Sequence, residues 1–183
     1  MMRTYRHSGQ YLNDGKTKQV LAVSREYRLY YNFVMNKTIG DFYRDPKIPT
    51  YLPTYPISKL SERYRQTCGS QARATLTSWL SNIANRMKDM IGCSSLPADV
   101  KHRLLVINKL RLWFAKELSV NGKAVSAEEL KLCRQIFKAV RGRRPMMRNP
   151  SMLLDKKVAT LERAQNKGCA FEYWIKLSSL VPR

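Results

Sequence analysis

An arginine-rich run late in the chain, RGRRPMMR, has the clearest capacity for binding chemistry. Its four arginines are Arg141, Arg143, Arg144 and Arg148. A guanidinium group offers a fork of N–H donors that binds two phosphate oxygens at once, which a lysine ammonium cannot do. No acidic residue occurs between Leu130 and Leu154, so no carboxylate nearby in the sequence competes for these donors. The run therefore predicts either a phosphate-binding segment or a solvated basic linker.

The charge of the whole chain favours the phosphate-binding interpretation. Thirty-four Lys and Arg against 13 Asp and Glu leave a net charge of +21 in 183 residues. Such a charge repels itself unless a polyanion neutralises it, which indicates nucleic acid or an anionic membrane as partner. No apolar run approaches the roughly 20 residues that cross a bilayer, and the N-terminus MMRTYRHSGQ lacks the apolar region of a secretion signal. Because basic residues occur in every segment, we expect nucleic acid as the partner and no membrane, and the lack of a secretion signal predicts a cytoplasmic location.

Catalytic and metal-binding patterns are not found in the sequence. The cysteines are Cys68, Cys93, Cys133 and Cys169. They lie far apart without a C-x-x-C pair, whereas a zinc site needs closely placed N or S ligands. The segment GKT at 15–17 lacks the earlier glycine of a phosphate-binding P-loop. The sequence therefore predicts no catalytic residues, no metal and no cofactor.

Two features open the chain: a strand, RTYRHSG, and then a long helix that Asn13 or Asp14 can cap. The apolar residues that recur at helical spacing in it are Val20, Val23, Tyr27, Tyr30 and Val34. The next segment, RDPKIPTYLPTYPISKL at 44–60, contains four prolines. Proline fixes φ and lacks an N–H donor, so this segment is predicted to be an extended loop.

Three further helices are predicted. The second begins with an N-cap at Ser70 and ends at Gly92. Its apolar seam is Leu76, Leu80, Ile83, Met87 and Ile91. The third starts at Pro97 and runs through LWFAKEL, with a packed face of Leu104, Ile107, Phe114 and Leu118. After a turn at VNGK, the fourth follows a capping box of Ser126 and Glu129 and ends before RGRRP.

The C-terminal part changes to a period of two residues. KKVATLERAQNKGCAFEYWIKLSS predicts two strands joined by a turn at Asn166–Gly168. In the second strand, a half-buried apolar face is expected from alternating residues. These residues are Phe171, Tyr173, Ile175 and Leu177. A lone hairpin is marginal in water, so the strands at both ends of the chain are expected to share one small sheet. The predicted fold class is α+β, mainly α, with about four helices inserted between strands.

Three stretches together resemble the transposon-encoded TnpB nucleases and their relatives, the compact type V CRISPR effectors. RLYYN at 28–32 is similar to the end of that family's first helix. SQARATLTSWLSNIANRM, from Ser70, is similar to a family helix that begins with a small residue and Gln. FEYWIKLSSL resembles the family's F-x-x-W-(I/L)-x-(L/I)-S-T-L strand, with Ser179 where Thr is usual. The order and spacing of the three stretches carry the resemblance.

The resemblance implies an RNA-guided DNA-targeting protein with a helical recognition lobe inserted in a small wedge-type β-barrel. The implied divisions are 1–12 for the first wedge strand, 13–148 for the recognition lobe and 149–179 for the wedge strand pair. In such complexes the protein reads a short motif and the shape of the backbone, while base pairing reads the sequence. The implied partners are therefore guide RNA and target DNA, with the oligomeric state left open.

The resemblance also assigns roles to residues of this chain. It places Ser70, Gln71 and Arg73 at recognition of the motif beside the target, and Tyr5 and Tyr31 on the wedge side of that site. The remaining candidates are chosen by charge alone. The complete predicted nucleic-acid-binding set is Arg3, Tyr5, Arg6, Tyr31, Ser70, Gln71, Arg73, Arg86, Arg141, Arg143, Arg144 and Arg148.

The family's RuvC-like nuclease and zinc ribbon would follow the last strand, and this sequence contains neither. The expectation is a non-catalytic N-terminal portion of an effector, missing its C-terminal nuclease domain. The last four residues, LVPR at 180–183, are predicted to be the remnant of a protease site from an expression tag, with native sequence as the alternative. Two other functions stay open. One is a stand-alone helical DNA-binding regulator or accessory protein of a mobile element or phage, and the other is a protein-binding module that inhibits such an effector.

Overall fold

The computed structural model describes residues 14–149, 151–154, 158–163 and 173–177. Within these ranges the chain forms four helices and two antiparallel sheets of two strands each. The helices are α1 Asp14–Phe42, α2 Glu62–Cys93, α3 Ala98–Leu110 and α4 Ala127–Val140. The strands are β1 Ser119–Val120, β2 Lys123–Ala124, β3 Ala159–Arg163 and β4 Tyr173–Leu177. The prediction of a mainly helical α+β fold is confirmed, and the strands of these ranges form no closed barrel.

The chain divides into two compact units. Unit 1 comprises Met1–Asn32, Pro53–Gly69 and Met147–Arg183, and unit 2 comprises Phe33–Leu52 and Ser70–Met146. Helices α1 and α2 therefore each contribute their N-terminal part to unit 1 and their C-terminal part to unit 2. The predicted first strand, the turn between the last two strands and the last four residues lie outside the described residues.

Helix α1 follows the predicted pattern. It begins at Asp14, whose carboxylate complements the partial positive charge of the helix N-terminus. The buried members of its predicted stripe are Val23, Tyr27, Tyr30 and Val34, and Val20 is half-buried. In unit 1 the Tyr30 hydroxyl accepts a 2.8 Å hydrogen bond from the backbone N–H of Tyr55 in the proline-rich segment. That segment contains no helix, as the prolines predict.

Helix α2 begins at Glu62, so the predicted N-cap at Ser70 is wrong and Ser70 lies inside the helix. The Glu62 carboxylate accepts hydrogen bonds from Arg65 and Gln66 at 2.8 and 3.2 Å, which stabilise the first turn. Tyr64 and Cys68 are fully buried in this added part. Their burial stabilises the helix by more than the roughly 1 kcal/mol that the interior glycine at 69 costs. The predicted apolar seam of α2 is confirmed, because all five of its residues are buried.

Helix α3 ends at Leu110, earlier than predicted. Arg111 adopts a left-handed conformation with φ of 57°, and its N–H donates to the carbonyl of Asn108. The Leu112 N–H donates to the carbonyl of Ile107 at 3.1 Å, so the two bonds form a Schellman motif that stops the helix. Beyond this turn Phe114 is only half-buried.

Trp113, which the predicted packed face of the third helix did not include, lies in the core of unit 2. It is fully buried, and its indole N–H donates to the Asn108 side chain at 2.9 Å. Its ring contacts Phe42 and Phe137, with centroids 5.9 and 5.1 Å away. Phe114 packs at the side of the same cluster, 5.0 Å from Phe137. This cluster joins the C-terminal end of α1 to α4.

Helix α4 begins with the predicted capping box. Ser126 Oγ accepts from the Glu129 N–H at 3.1 Å, and the Glu129 carboxylate accepts from the Ser126 N–H at 3.0 Å. The same carboxylate accepts a 2.9 Å bond from Arg103 Nε, which ties α3 to α4. The turn predicted at VNGK is also present, as a β1–β2 hairpin with positive φ at Asn121 and Gly122.

Strands β3 and β4 pair antiparallel, with Leu161 opposite Ile175, which confirms two strands here. The expected half-buried face is wrong for Tyr173 and Ile175, whereas Leu177, the other described member of that face, is half-buried. Leu161, Tyr173 and Ile175 are 63, 51 and 56% exposed. A period of two fixes which side chains share a face, but it does not supply the second layer that would cover them.

Candidate nucleic-acid interface

The arginine run begins where α4 ends in unit 2, and its backbone is held by two side chains of α2. Trp79 Nε1 donates to the carbonyl of Arg141 at 3.0 Å. Arg86 Nη1 donates to the carbonyl of Val140 at 3.3 Å. These carbonyls belong to the helix C-terminus, where intrahelical partners run out. The two bonds therefore satisfy the end of α4 and fix the point from which the arginines project.

Gly142 gives the run its change of direction. Its φ is +62°, a conformation that glycine adopts without the penalty that a Cβ brings. Pro145 follows three residues later and cannot continue a helix. The chain therefore leaves α4 abruptly and stays beside α2, with Arg86 Nη1 3.8 Å from the place where a Cβ on residue 142 would lie.

Four arginines of unit 2 form what we call the arginine cluster: Arg86, Arg141, Arg143 and Arg144. Arg86, Arg143 and Arg144 are exposed and Arg141 is half-buried. None of the ion pairs found in the described ranges involves a member of the cluster. The positive charge of the cluster is therefore free to bind a mobile polyanion, with guanidinium forks suited to phosphate.

The predicted motif-recognition residues form a separate group on α2. Arg73 Nε donates to the carbonyl of Pro49 at 2.8 Å, which holds the proline-rich segment against the helix within unit 2. Ser70 is exposed and Gln71 is half-buried. A helix rises about 1.5 Å per residue, so about 20 Å of α2 separates Arg73 from Arg86. The structure therefore does not bring this group together with the arginine cluster.

Arg148 belongs to unit 1 and is exposed there. Its carbonyl accepts a 3.1 Å bond from Arg28 of α1. The Asn32 side chain makes two bonds to the backbone of Met147, donating to its carbonyl at 3.0 Å and accepting from its N–H at 2.8 Å. Farther along, Ser24 Oγ contacts the Met152 sulfur at 3.8 Å. The described residues 147–149 and 151–152 therefore lie antiparallel along α1.

The RLYYN stretch thus has a structural explanation in unit 1 besides its resemblance. Arg28 and Asn32 bond to the last two residues of the arginine run, and Tyr30 bonds to the proline-rich segment. Tyr31 is buried, so its ring is covered and unit 1 would have to open before a base could stack on it. Leu29 is exposed. The other predicted candidates, Arg3, Tyr5 and Arg6, lie outside the described residues.

The supporting roles of Trp79 and Asn32 were not predicted from the sequence. A tryptophan on the edge of an amphipathic helix needs a partner for its indole N–H, and a helix C-terminus supplies carbonyls, so a bond of this kind could have been expected without knowing which carbonyl accepts it. Asn32 was noted only as the last residue of the RLYYN stretch, and no local pattern indicated its bonds, since its partner lies far along the chain.

Burial shifts the pKa of three groups in the described part of the core, two thiols and a phenol. Burial raises the pKa of the Cys68 thiol to about 12 and that of Cys133 to about 11. Burial also raises the pKa of Tyr27 far above its usual range. A nucleophilic cysteine needs a lowered pKa, so both buried thiols remain protonated at neutral pH. Within the described ranges, no three His, Cys, Asp or Glu side chains gather closely enough to hold a metal ion.

Comparison of the chain with models of protein families, with curated proteins and with solved structures finds no match. None of the helices in the described part combines the length and the apolar character needed to cross a bilayer. The chain's own charge, geometry and sequence patterns are therefore what indicates its function.

Proposed function

We propose that this chain is a non-catalytic nucleic-acid-binding portion of an RNA-guided DNA-targeting effector. In this role it contacts guide RNA, the heteroduplex of guide and target, and the short motif beside the target. The observation that carries the proposal is the arginine cluster. Trp79 and Arg86 bond to the backbone where the run begins, and Arg143 and Arg144 are exposed without an ion pair in the described ranges. The net charge of +21 and the three stretches that resemble TnpB-like effectors support it.

The two groups on α2 are separated both along the helix and around it. Arg73 lies about 20 Å from Arg86 along the axis and, at 100° per residue, about 140° around it. A nucleic acid that meets both groups must therefore follow the surface of unit 2 around α2. Phosphate contacts set the register of the duplex, and contacts to base edges specify sequence. The proposal places the protein in the cytosol or nucleoid of a prokaryote, with the nuclease on another domain.

Binding measurements over a salt series test the proposal. Fluorescence anisotropy is measured with structured RNA, an RNA–DNA heteroduplex and duplex DNA. Each phosphate neutralised contributes about −0.9 to the log–log salt slope for duplex DNA. We expect a steep slope for the wild-type chain. In the Arg143→Ala, Arg144→Ala double variant, affinity falls about tenfold or more and the slope becomes shallower by about two.

The matched control removes two exposed lysines elsewhere in unit 2, in the Lys116→Ala, Lys131→Ala variant. This control loses the same formal charge as the double arginine variant. An equal loss of affinity in both would mean that the arginine cluster contributes no more to binding than other positive charges on the surface. Absent or salt-insensitive binding by the wild-type chain would contradict the proposal. Dimerisation on palindromic duplex DNA with no affinity for RNA would favour the regulator instead. Cleavage of DNA by this chain alone would overturn the non-catalytic assignment.

A further inference from the structure

A second cationic feature of unit 2 lies between α2 and α3, away from the arginine cluster. It is a cleft with a volume of about 440 Å³. Its lining residues are Ser81, Ala84, Asn85, Lys88, Leu105, Asn108, Lys109 and Arg111. Asn108 forms part of its floor, where its side chain donates to the Ala84 carbonyl at 2.8 Å and joins the two helices.

The cleft carries concentrated positive charge. Lys88, Lys109 and Arg111 line it, and no carboxylate is among its lining residues. None of the ion pairs in the described part of the chain includes these three side chains. The C-terminal end of α3 contributes a negative partial charge of only about half a unit. Three full positive charges outweigh it, so the cleft attracts anions.

The conformation of Arg111 points to a role for its side chain beyond ending the helix. Its φ of 57° lies in the left-handed region, and glycine is the residue that most often ends helices in this way. An arginine there carries a backbone penalty that glycine would avoid. Its guanidinium reaches back to α2, where Nη2 donates to Ser81 Oγ at 3.0 Å. This bond leaves other N–H groups of the fork available at the cleft.

The cleft and the arginine cluster lie on different sides of α2. At 100° per residue, Trp79 and Arg86 share one side of the helix, and Ser81 and Lys88 lie about half a turn from them. The buried seam of α2 separates the two sides. An extended nucleic acid can therefore contact unit 2 at two distinct places.

We propose that the α2–α3 cleft binds a phosphate group of the nucleic-acid backbone, with Arg111 as its main donor and Lys88 and Lys109 beside it. This inference rests on the proposed function and adds to it a second contact, on the other side of α2. The Asn85 side-chain amide supplies a further neutral donor at the rim. A free phosphate has the same chemistry, so the test must separate the two sources.

The test uses the full chain and the Arg111→Gly variant. Glycine adopts a positive φ freely, so the melting temperature is expected to stay level or rise. Affinity for duplex DNA is expected to fall about tenfold, with a salt slope shallower by about one. Lys131→Ala, on the exposed side of α4, is the control for losing one charge. A Lys88→Gln, Lys109→Gln double variant, which leaves the backbone of the turn unchanged, should show a comparable loss.

Three outcomes would overturn the inference. If both cleft variants bind duplex DNA with wild-type affinity and salt slope, the cleft is not a contact for nucleic acid, and the proposed function still stands. A fall of more than about 4 °C in the melting temperature of Arg111→Gly would make the arginine a structural residue. A wild-type chain that binds no nucleic acid would remove the cleft contact and the proposed function together. In that last case, a shift of the Asn85 side-chain amide NMR signals on titration with inorganic phosphate would identify a small-anion site instead.

Discussion

At the scale of single residues, unit 1 is held together by polar side chains that bond to distant backbone. Asn32 is the clearest example, since its amide satisfies both the N–H and the carbonyl of Met147. An amide side chain matches a peptide group in this two-bond arrangement because it carries one donor and one acceptor side by side. These bonds fix the C-terminal end of the arginine run.

Replacing Asn32 with alanine is therefore expected to destabilise the protein. Two bonds are lost and a half-buried peptide group loses its partners, which costs about 1–2 kcal/mol. Asn36→Ala is the control, because Asn36 lies exposed on the same helix and gains the same helix propensity. Urea unfolding should show a lower midpoint for Asn32→Ala and an unchanged or higher one for Asn36→Ala. Equal midpoints for the two variants would mean that the bonds to Met147 contribute nothing.

The Arg103–Glu129 pair gives a pH-dependent contribution to stability. The Arg103 guanidinium beside Glu129 holds the pKa of that carboxyl below its usual range. A carboxylate with a lowered folded-state pKa adds stability that is fully present above its unfolded pKa, about 4.3 for glutamate. That stability is lost as the pH falls through the folded-state pKa. We expect the free energy of unfolding to decrease on acidification below about pH 5.

The Glu129→Gln variant isolates that contribution. Glutamine keeps the capping box with Ser126 but cannot titrate, so the variant should lose part of the decrease in stability between pH 6 and acid. Urea unfolding at a series of pH values measures the free energy of unfolding of the wild type and the variant. Identical pH profiles for wild type and variant would show that the pair does not contribute, and Glu128→Gln, an exposed neighbour, serves as control.

At the scale of elements, the turn after α4 depends on Gly142. Alanine at this position would have to adopt φ near +62°, which costs about 1 kcal/mol or more. The contact with Arg86 at 3.8 Å is an ordinary one, so the expected loss comes from the backbone and not from a clash. Gly142→Ala should therefore melt at a lower temperature and bind nucleic acid more weakly, because the arginines after it are redirected.

Gly40→Ala provides the matched control for this substitution. Gly40 lies in α1 with a helical φ, and no neighbouring side chain lies within 4 Å of the place where its Cβ would be. Alanine there should raise stability by about 0.5–1 kcal/mol. Differential scanning calorimetry of both variants should give melting temperatures on opposite sides of the wild type. A stable Gly142→Ala variant would mean that the turn tolerates another conformation.

The elements that the sequence predicted well are those with strong periodicity or a defined cap. The seam of α2 and the capping box of Ser126 and Glu129 are examples, because local spacing alone determines them. The start of α2 and the end of α3 depend on other information. The N-cap predicted at Ser70 was wrong, because α2 begins eight residues earlier, at Glu62, and tertiary burial of Tyr64 stabilises this added part. Arg111 gave no stop signal, since arginine normally continues a helix.

The candidate site shows the same division. The sequence shows the arginines of the run and the lack of acidic residues near them, and the structure adds the positions of these arginines. The bond from Trp79 to the Arg141 carbonyl, and the cleft beside Arg111, arise from residues distant in sequence. Local pattern contains no information on such pairings, so the sequence predicted the chemistry of the arginine run but not the geometry that supports it.

At the scale of the whole molecule, the net charge of +21 dominates. Like charges repel across the folded protein, and the range of that repulsion shrinks from about 30 Å at 0.01 M salt to about 10 Å at 0.1 M. Stability should therefore rise over this range of salt, because screening relieves the compact state more than the expanded one. A polyanion that binds only the folded state should raise the free energy of unfolding further, by RT ln(1 + [L]/Kd), where [L] is the concentration of free polyanion.

Thermal unfolding with sodium chloride, heparin or dextran tests this expectation. Heparin supplies a dense row of negative charges, and dextran is an uncharged polymer that controls for crowding, whose effect is only about 0.2–1 kcal/mol. We expect the melting temperature to rise with salt and more strongly with heparin, while dextran changes it little. The Arg143→Ala, Arg144→Ala variant should respond less to heparin than the Lys116→Ala, Lys131→Ala control, since both lose the same charge but only one loses members of the arginine cluster. A melting temperature that is flat in salt and equally raised by heparin in the two variants would mean that the charge acts diffusely, without a preferred surface for phosphate.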